Sequence, residues 1–356
     1  MHSNHIRKIH QIMKKLSFLV ILGLCANVVF AQSSEKVSNS INLGPLLQKA
    51  YLAKAKEAKQ QEPVVVEGPV VDNTVAEIKL ESDVDIDIPV TAKKNPNAFA
   101  VVIGNAIYEN TSNVDYAVHD ARAVKEYLVK TMGFMPENVF LEENATQRDF
   151  LKWFGNERSH KGRLYNLAYE NMESETDLFI FYAGHGAPDV NTKSGYFLPA
   201  DCDPNFIDVT AYSGELLFEN IGKIGAKSTT IVLDACFSGN GVITGLSAVA
   251  IKPKDFGSIP NGVILSSSSG TQPSAWYEEK NHGLFTYYFL KAMQDQAKSD
   301  LNQDGSITVN EVFNYVDTWV PRKARGLRNL DQNPTIRGEA QELVMINAEA
   351  STEGEE

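Results

Sequence analysis

Two short glycine-flanked stretches hold the residues with the most chemical capacity. Ala183-Gly184-His185-Gly186 presents an imidazole, and Asp234-Ala235-Cys236-Phe237-Ser238-Gly239 presents a thiol with a carboxylate two positions before it. A free cysteine ionises near pH about 8.5, and its thiolate is the nucleophile. A neighbouring imidazole can take that proton and later deliver it to a leaving group. Glycines at both places let a substrate backbone approach closely. Backbone N–H groups of Gly186 and Cys236 could then hold a developing oxyanion. Singly, each residue has a plainer reading. A cysteine after an apolar strand is ordinarily buried and inert, a histidine between glycines can be a turn residue, and Cys202 with Cys236 could form a disulfide.

The elements that must position these two residues can be read from the pattern around them. Asp177 to Tyr182 is a run of strand formers leading into the histidine, and Thr230 to Leu233 is one leading into the cysteine. Ala98 to Ile103, Asn138 to Leu141 and Gly262 to Leu265 are further strand candidates. Helical patterns occupy Ala117 to Met132, Phe150 to Tyr169, Glu215 to Ile224 and Phe285 to Met293. Alternation of near-continuous apolar strands with helices predicts an α/β, three-layer sandwich, with a mostly parallel sheet flanked by helices. In such sheets the ligand crevice lies outside the carboxyl ends of the strands. His185 and Cys236, 51 positions apart, therefore fall at the same edge.

With these residues in place, the sequence resembles the caspase-like cysteine peptidases, in the bacterial branch related to metacaspases. The matching stretches are Phe99 to Asn105 (FAVVIGN), Tyr116 to Ala123 (YAVHDARA), Phe181 to Gly186 (FYAGHG), Leu233 to Gly239 (LDACFSG) and His282 to Thr286 (HGLFT). The resemblance spans residues 95 to 340 and implies hydrolysis of peptide bonds through a Cys–His dyad and an acyl-enzyme. It implies Cys236 as nucleophile, His185 as general base and acid, and Gly186 as an oxyanion donor. Animal caspases carry a glutamine-type signature at the cysteine, where this chain has Asp234. The metacaspase-like branch places an acid there, in the pocket for the residue before the cut. Asp234 thus suits an Arg or Lys side chain of a peptide or protein substrate. Asp120 matches a second acid of that pocket, although an acid in a first helical turn also complements the helix dipole. The loop 266–275 (SSSSGTQPSA), with Ser267, matches another pocket wall. Ala183 departs from the serine usual in metacaspases.

Bulk properties bound the partners and the destination. The chain has 356 residues, 43% of them hydrophobic, three cysteines and a net charge of -12. Such an acidic chain is a poor ligand for nucleic acid. Lys14 and Lys15 precede an apolar run from Leu16 to Phe30, and Val29 with Ala31 form a small-residue cleavage site. Residues 1–31 read as a signal peptide, which predicts an exported protein, periplasmic or extracellular, with no stable membrane span after cleavage. A membrane anchor is the alternative, but the run is shorter than the roughly 20 residues that span a bilayer. Residues 32–95 read as a pro-region or linker, 96–345 as the peptidase domain and 346–356 as an acidic tail. Within the pro-region, Glu81, Asp83, Asp85 and Asp87 alternate with Val84, Ile86 and Ile88, the pattern of a strand with an acidic face. It reads as a solvated edge strand or as a segment covering a basic or substrate-binding surface. Lys252 and Lys254, in the loop after the cysteine, are candidate self-cleavage sites.

A second motif stands apart from the dyad. Asp300, Asn302, Asp304, Ser306, Thr308 and Glu311, with Gly305 at the sharp turn, fit the twelve-residue EF-hand loop. They would ligate calcium, which the hydrolytic chemistry itself does not require. An exiting helix is expected from Glu311 to Val320, stopped by Pro321. The plainer reading is an Asp/Asn-rich turn. The rival functional reading for the chain as a whole is a caspase-like binding or scaffold protein that has lost catalysis.

Overall fold

A computed structural model describes residues 82–171, 175–189, 193–236, 258–269 and 272–347. The stretch expected to be a signal peptide, Lys252, Lys254, the first part of the expected pro-region and most of the acidic tail lie outside the described residues. Along the chain the strands are β1 (Ala98–Gly104), β2 (Val139–Glu143), β3 (Asp177–Ala183), β4 (Gly186–Pro188), β5 (Gly195–Phe197), β6 (Tyr212–Ser213), β7 (Ser228–Asp234), β8 (Gly262–Ser266), β9 (Trp276–Tyr277), β10 (His282–Gly283), β11 (Ile307–Thr308), β12 (Thr335–Gly338) and β13 (Val344–Ile346). The longer helices are α1 (Ala117–Lys130), α2 (Gln147–Phe154), α3 (Arg163–Glu170), α4 (Gly214–Gly222), α5 (Leu284–Gln294) and α6 (Val309–Arg328).

A six-stranded sheet runs in the order β12-β8-β7-β3-β1-β2. The pairs β8/β7, β7/β3, β3/β1 and β1/β2 are parallel, and β12 closes one edge antiparallel. Strand alternation sends the two sets of side chains to opposite faces. Ala98, Ala100 and Val102 of β1 join Phe179, Phe181, Val232 and Val263 in a core with α1, α5 and α6. Phe99, Val101 and Ile103 join Leu178, Ile180, Ile231 and Leu233 in a second core with α2, α3 and α4. This is the expected three-layer sandwich.

Register aligns the carboxyl ends. Gly104 pairs with Ala183, and Ala183 pairs with Asp234. The ladder continues one step further, with Gly184 N–H donating to the Asp234 carbonyl at 3.3 Å. His185 and Cys236 each stand two residues past this aligned rank, on neighbouring strands. Asn105, fully buried just past β1, ties the loops there together. Its amide donates to the carbonyls of Ala145 and Leu198 and accepts from Ala145 N–H.

Three expectations change. The stretch 150–169 is two helices, because Gly155 (φ 80) ends α2 and the chain turns before Gly162 starts α3. A Cβ at Gly155 would lie 2.2 Å from the Ser159 carbonyl oxygen, so the turn needs glycine. Pro321 does not stop the last helix, which runs on to Arg328. Proline removes one backbone donor, yet Val316, Val320 and Ala324 keep the apolar stripe facing the core across it. The acidic alternation before residue 88 is not a strand: Asp83–Asp85 form a turn of 3-10 helix. Val84 is fully buried in the first core. Asp83 accepts from Lys280, Lys291 and the Tyr287 hydroxyl, while Tyr127 and Gln294 hold the turn's carbonyls. Period-2 spacing does not distinguish a strand from one acidic turn anchored to basic side chains.

Candidate active site

The imidazole of His185 is held from several sides. Its backbone N–H donates to the Tyr108 hydroxyl at 2.8 Å, and its carbonyl accepts from the Tyr182 hydroxyl at 2.7 Å. Gly184 must precede it, because a Cβ there would lie 2.7 Å from both phenol oxygens. Nε2 sits 2.8 Å from the carbonyl oxygen of Ser112. A carbonyl only accepts, so Nε2 carries the proton and Nδ1 keeps its lone pair. Burial lowers the pKa of this imidazole, partly offset by the Ser112 contact. At neutral pH it is an uncharged base.

Cys236 is partly exposed and lines the same cavity as His185. Ser274 N–H points at its sulfur. Burial pushes the thiol up to about 12, and the neighbouring Asp234 charge adds to this. The resting pair is therefore thiol and neutral imidazole. Attack on a carbonyl would require the proton to leave sulfur as the new bond forms, with His185 as acceptor. Gly186 begins β4 opposite Phe197, and Leu198 N–H donates to the His185 carbonyl at 3.0 Å. That pattern makes Gly186/Phe197 a non-hydrogen-bonded pair, so the Gly186 N–H faces away from β5.

Below the thiol, two carboxylates converge. Asp234 (9% exposed) and Asp120 (2% exposed) both line the cavity. The hydrogen-bond donors to Asp234 are neutral: the Ser274 hydroxyl at 2.8 Å and the Thr286 hydroxyl at 2.7 Å, with Thr286 N–H at 3.2 Å. Burial, and then repulsion from Asp120, push Asp234 up to about 6. Asp120 is likewise raised by burial, although His282 Nδ1 at 2.6 Å and Gly283 N–H at 3.0 Å oppose that. Two buried carboxylates met mainly by neutral donors favour a cationic guest. Trp276 and Ala275 form an apolar side of the same cavity, suited to the aliphatic stem of a long basic side chain.

Gly283 keeps the acid pair accessible. A Cβ there would fall 2.5 Å from Asp234 Oδ2 and 3.0 Å from Asp120 Oδ2. Its φ of -57 suits any residue, so the demand is for space. Gly283→Ala is expected to raise KM for an Arg-ended peptide tenfold or more while kcat for small, uncharged activated esters stays within twofold. Steady-state kinetics on both substrates checks this.

The remaining predicted residues are placed as follows. Ser267 is fully buried and does not line the cavity. Its N–H donates to the Leu233 carbonyl at 2.8 Å, locking the strand end instead. The wall expected from 266–275 is made by Pro273, Ser274 and Ala275. Cys202 and Cys236 are free thiols, so the alternative disulfide is not formed. Cys202 is fully buried and its Sγ lies 3.3 Å from the Thr210 hydroxyl.

In the 300–311 loop Gly305 has φ 81 and the side chains turn inward. Asp300 accepts from Asp304 and Gly305 N–H, Asn302 from Asp304 N–H, and Asp304 from Ser306 N–H. Glu311 accepts from Leu301 N–H and from Thr308 N–H and hydroxyl. Strand β11 in this loop pairs with β13.

Sequence reasoning missed several positioning groups. Gln332, fully buried, accepts from Ala275 N–H and donates to Ser267 O and the Ser274 hydroxyl. Ser112, Tyr108 and His282 were also unassigned, and Ser274 fell within the expected 266–275 wall without a role of its own; His282 had a visible signal as the first residue of the HGLFT stretch.

Comparison with known proteins fits this architecture. The family model for the caspase domain, Peptidase_C14, matches residues 97–342. A search of curated proteins returns no match. Among solved structures, the crystal structure of caspase-1 from Spodoptera frugiperda is similar at 13% identity and a TM-score of 0.49. The likeness covers 74% of this chain and 95% of that one. With the family model matching more than half of its length, the chain belongs to the caspase-domain family, and its fold is that of a caspase-like protease.

Proposed function

We propose that this protein is an exported cysteine endopeptidase that cuts peptide or protein substrates after Arg or Lys. The observation that supports the reading is the register of β3 and β7, which ends both strands at one cavity lined by His185, Cys236, Asp120 and Asp234. His185 Nδ1 takes the thiol proton as sulfur attacks the scissile carbonyl. The Gly186 and Cys236 N–H groups receive the oxyanion. His185 then protonates the leaving amine, and water hydrolyses the acyl-enzyme. The acid pair holds the basic side chain before the cut. Export rests on the leader pattern at residues 14–31. Residues 32–95 serve as a pro-region whose last part is anchored beside the pocket through Asp83 and Asp85.

The high thiol pKa gives the silent-scaffold alternative its one specific support. Fluorogenic peptides ending in Arg, Lys or Asp decide between them. The proposal expects turnover of the Arg and Lys peptides. Cleavage of the Asp peptide alone would remove the basic pocket, and no turnover by the mature chain would favour the scaffold.

Calcium at the 300–311 loop belongs to the same reading, as a stabiliser of the α5–α6 region. Asp300, Asn302, Asp304, Ser306, Thr308 and Glu311 would supply the oxygens. Millimolar calcium is expected to raise Tm by several degrees in the wild type, and Glu311→Gln is expected to abolish the rise. Differential scanning calorimetry with magnesium as control reads it.

A further inference from the structure

Beside the acid pair, on the side away from Cys236, lies a second cluster that the peptidase chemistry does not use. Asp85 comes from the N-terminal 3-10 turn, His119 from α1 and His282 from β10. Their side chains are 4%, 7% and 0% exposed. Both imidazole Nε2 atoms converge on one oxygen, Asp85 Oδ2, at 3.1 Å for His119 and 3.3 Å for His282. One ligand atom from each of the three lies within 4.8 Å of the others.

The far nitrogen of His282 fixes its tautomer. Nδ1 lies 2.6 Å from Asp120 Oδ1, so Nδ1 carries the proton and donates it to that carboxylate. In the neutral ring Nε2 is then free to ligate, and it faces Asp85 Oδ2 at 3.3 Å. The two imidazole rings lie with centroids 4.5 Å apart, between the buried carboxylates of Asp85 and Asp120. A tetrahedral ion with bonds of about 2.0–2.1 Å separates its ligand atoms by about 3.3 Å. The contacts to Asp85 Oδ2 already have that spacing. A carboxylate hydrogen-bonded to the outer nitrogen of a ligand histidine is the usual support of such sites.

We propose that Asp85, His119 and His282 bind a divalent transition-metal ion of the zinc class, with Asp120 as the supporting carboxylate. The ion would join the N-terminal turn to α1 and β10. Through His282 it would also fix the position of Asp120 at the base of the cavity. Two imidazoles and a carboxylate suit zinc or cobalt over calcium or magnesium, which prefer all-oxygen sites. The proposal stands whether or not the chain is a peptidase.

The test uses the full chain carrying Cys236→Ala, stripped with chelator and titrated with Co2+ in excess calcium. One equivalent is expected to bind with the intense visible absorption of a four-coordinate ion, and Zn2+ should displace it. Asp85→Asn and His119→Gln should each weaken binding at least tenfold with unchanged circular dichroism. Asp120→Asn should weaken it about 10–100-fold. Absence of a one-equivalent visible signal, or binding unaffected by both Asp85→Asn and His119→Gln, overturns the assignment.

Discussion

Replacing Cys236 with alanine is expected to abolish hydrolysis of Arg-ended peptides while the protein stays folded. The residue is only partly buried, and its one described polar contact is the Ser274 N–H, so the substitution disturbs little. His185→Ala should lower kcat by about 10²–10⁴-fold, the worth of a positioned general base. The thiol of this site sits at about 12, so without the imidazole almost no thiolate forms at neutral pH. The double variant should be no worse than Cys236→Ala alone, because the two residues act as one unit. Kinetics on the three variants, with Tm as a control for folding, provides the check. Full activity in Cys236→Ala would remove the nucleophile.

The second large effect belongs to Asp234. Asparagine is nearly isosteric and can still accept from Thr286 while its amide donates to the Ser274 hydroxyl. What it loses is charge facing the bound cation. Truncating one partner of a buried charge pair costs about 2–5 kcal/mol, so kcat/KM for an Arg peptide should fall about 30- to 4,000-fold. Stability should move the other way. The folded-state pKa of about 6 stands above the unfolded value of about 3.9. Ionising Asp234 therefore opposes folding, and the associated stability is lost as pH rises from about 4 through 6. Asp234→Asn removes that loss, so the variant should melt higher than wild type at pH 7 and the gain should vanish at pH 4. In the wild type, kcat/KM for Arg peptides should drop as pH falls below about 6, when the carboxyl takes up its proton. Thermal melts at pH 4 and 7, with a pH–rate profile of both proteins, read all three effects. A lower Tm for the variant at pH 7 would mean that Asp234 is a structural anchor.

Why the sheet could be read in advance follows from its strands. Ala98–Gly104, Asp177–Ala183 and Ser228–Asp234 are buried almost throughout, so their sequences are continuous apolar runs with sharp ends. Those ends carry Asn105, His185 and Cys236, and parallel order then brings the last two together. The helix break at Gly155 was harder to see, because apolar spacing resumes after it and only a backbone clash reveals the turn. Asp83 and Asp85 were misread because their partners, Lys280, Lys291, His119 and His282, lie far along the chain. Ser112 was invisible for a related reason: it acts through a backbone carbonyl, which any residue type can supply. Ser267 was placed by resemblance alone, and the strand-end hydrogen bond to Leu233 draws it under the floor.

The account stands on the sulfur of Cys236 being attackable within reach of His185 above an acidic pocket. Intact-mass spectrometry after incubation with an Arg-ended acyloxymethyl ketone measures this directly. One adduct mapped to Cys236, formed much faster than with the Asp-ended analogue and slowed in His185→Ala, is the predicted result. No adduct, or one on Cys202, would contradict the account.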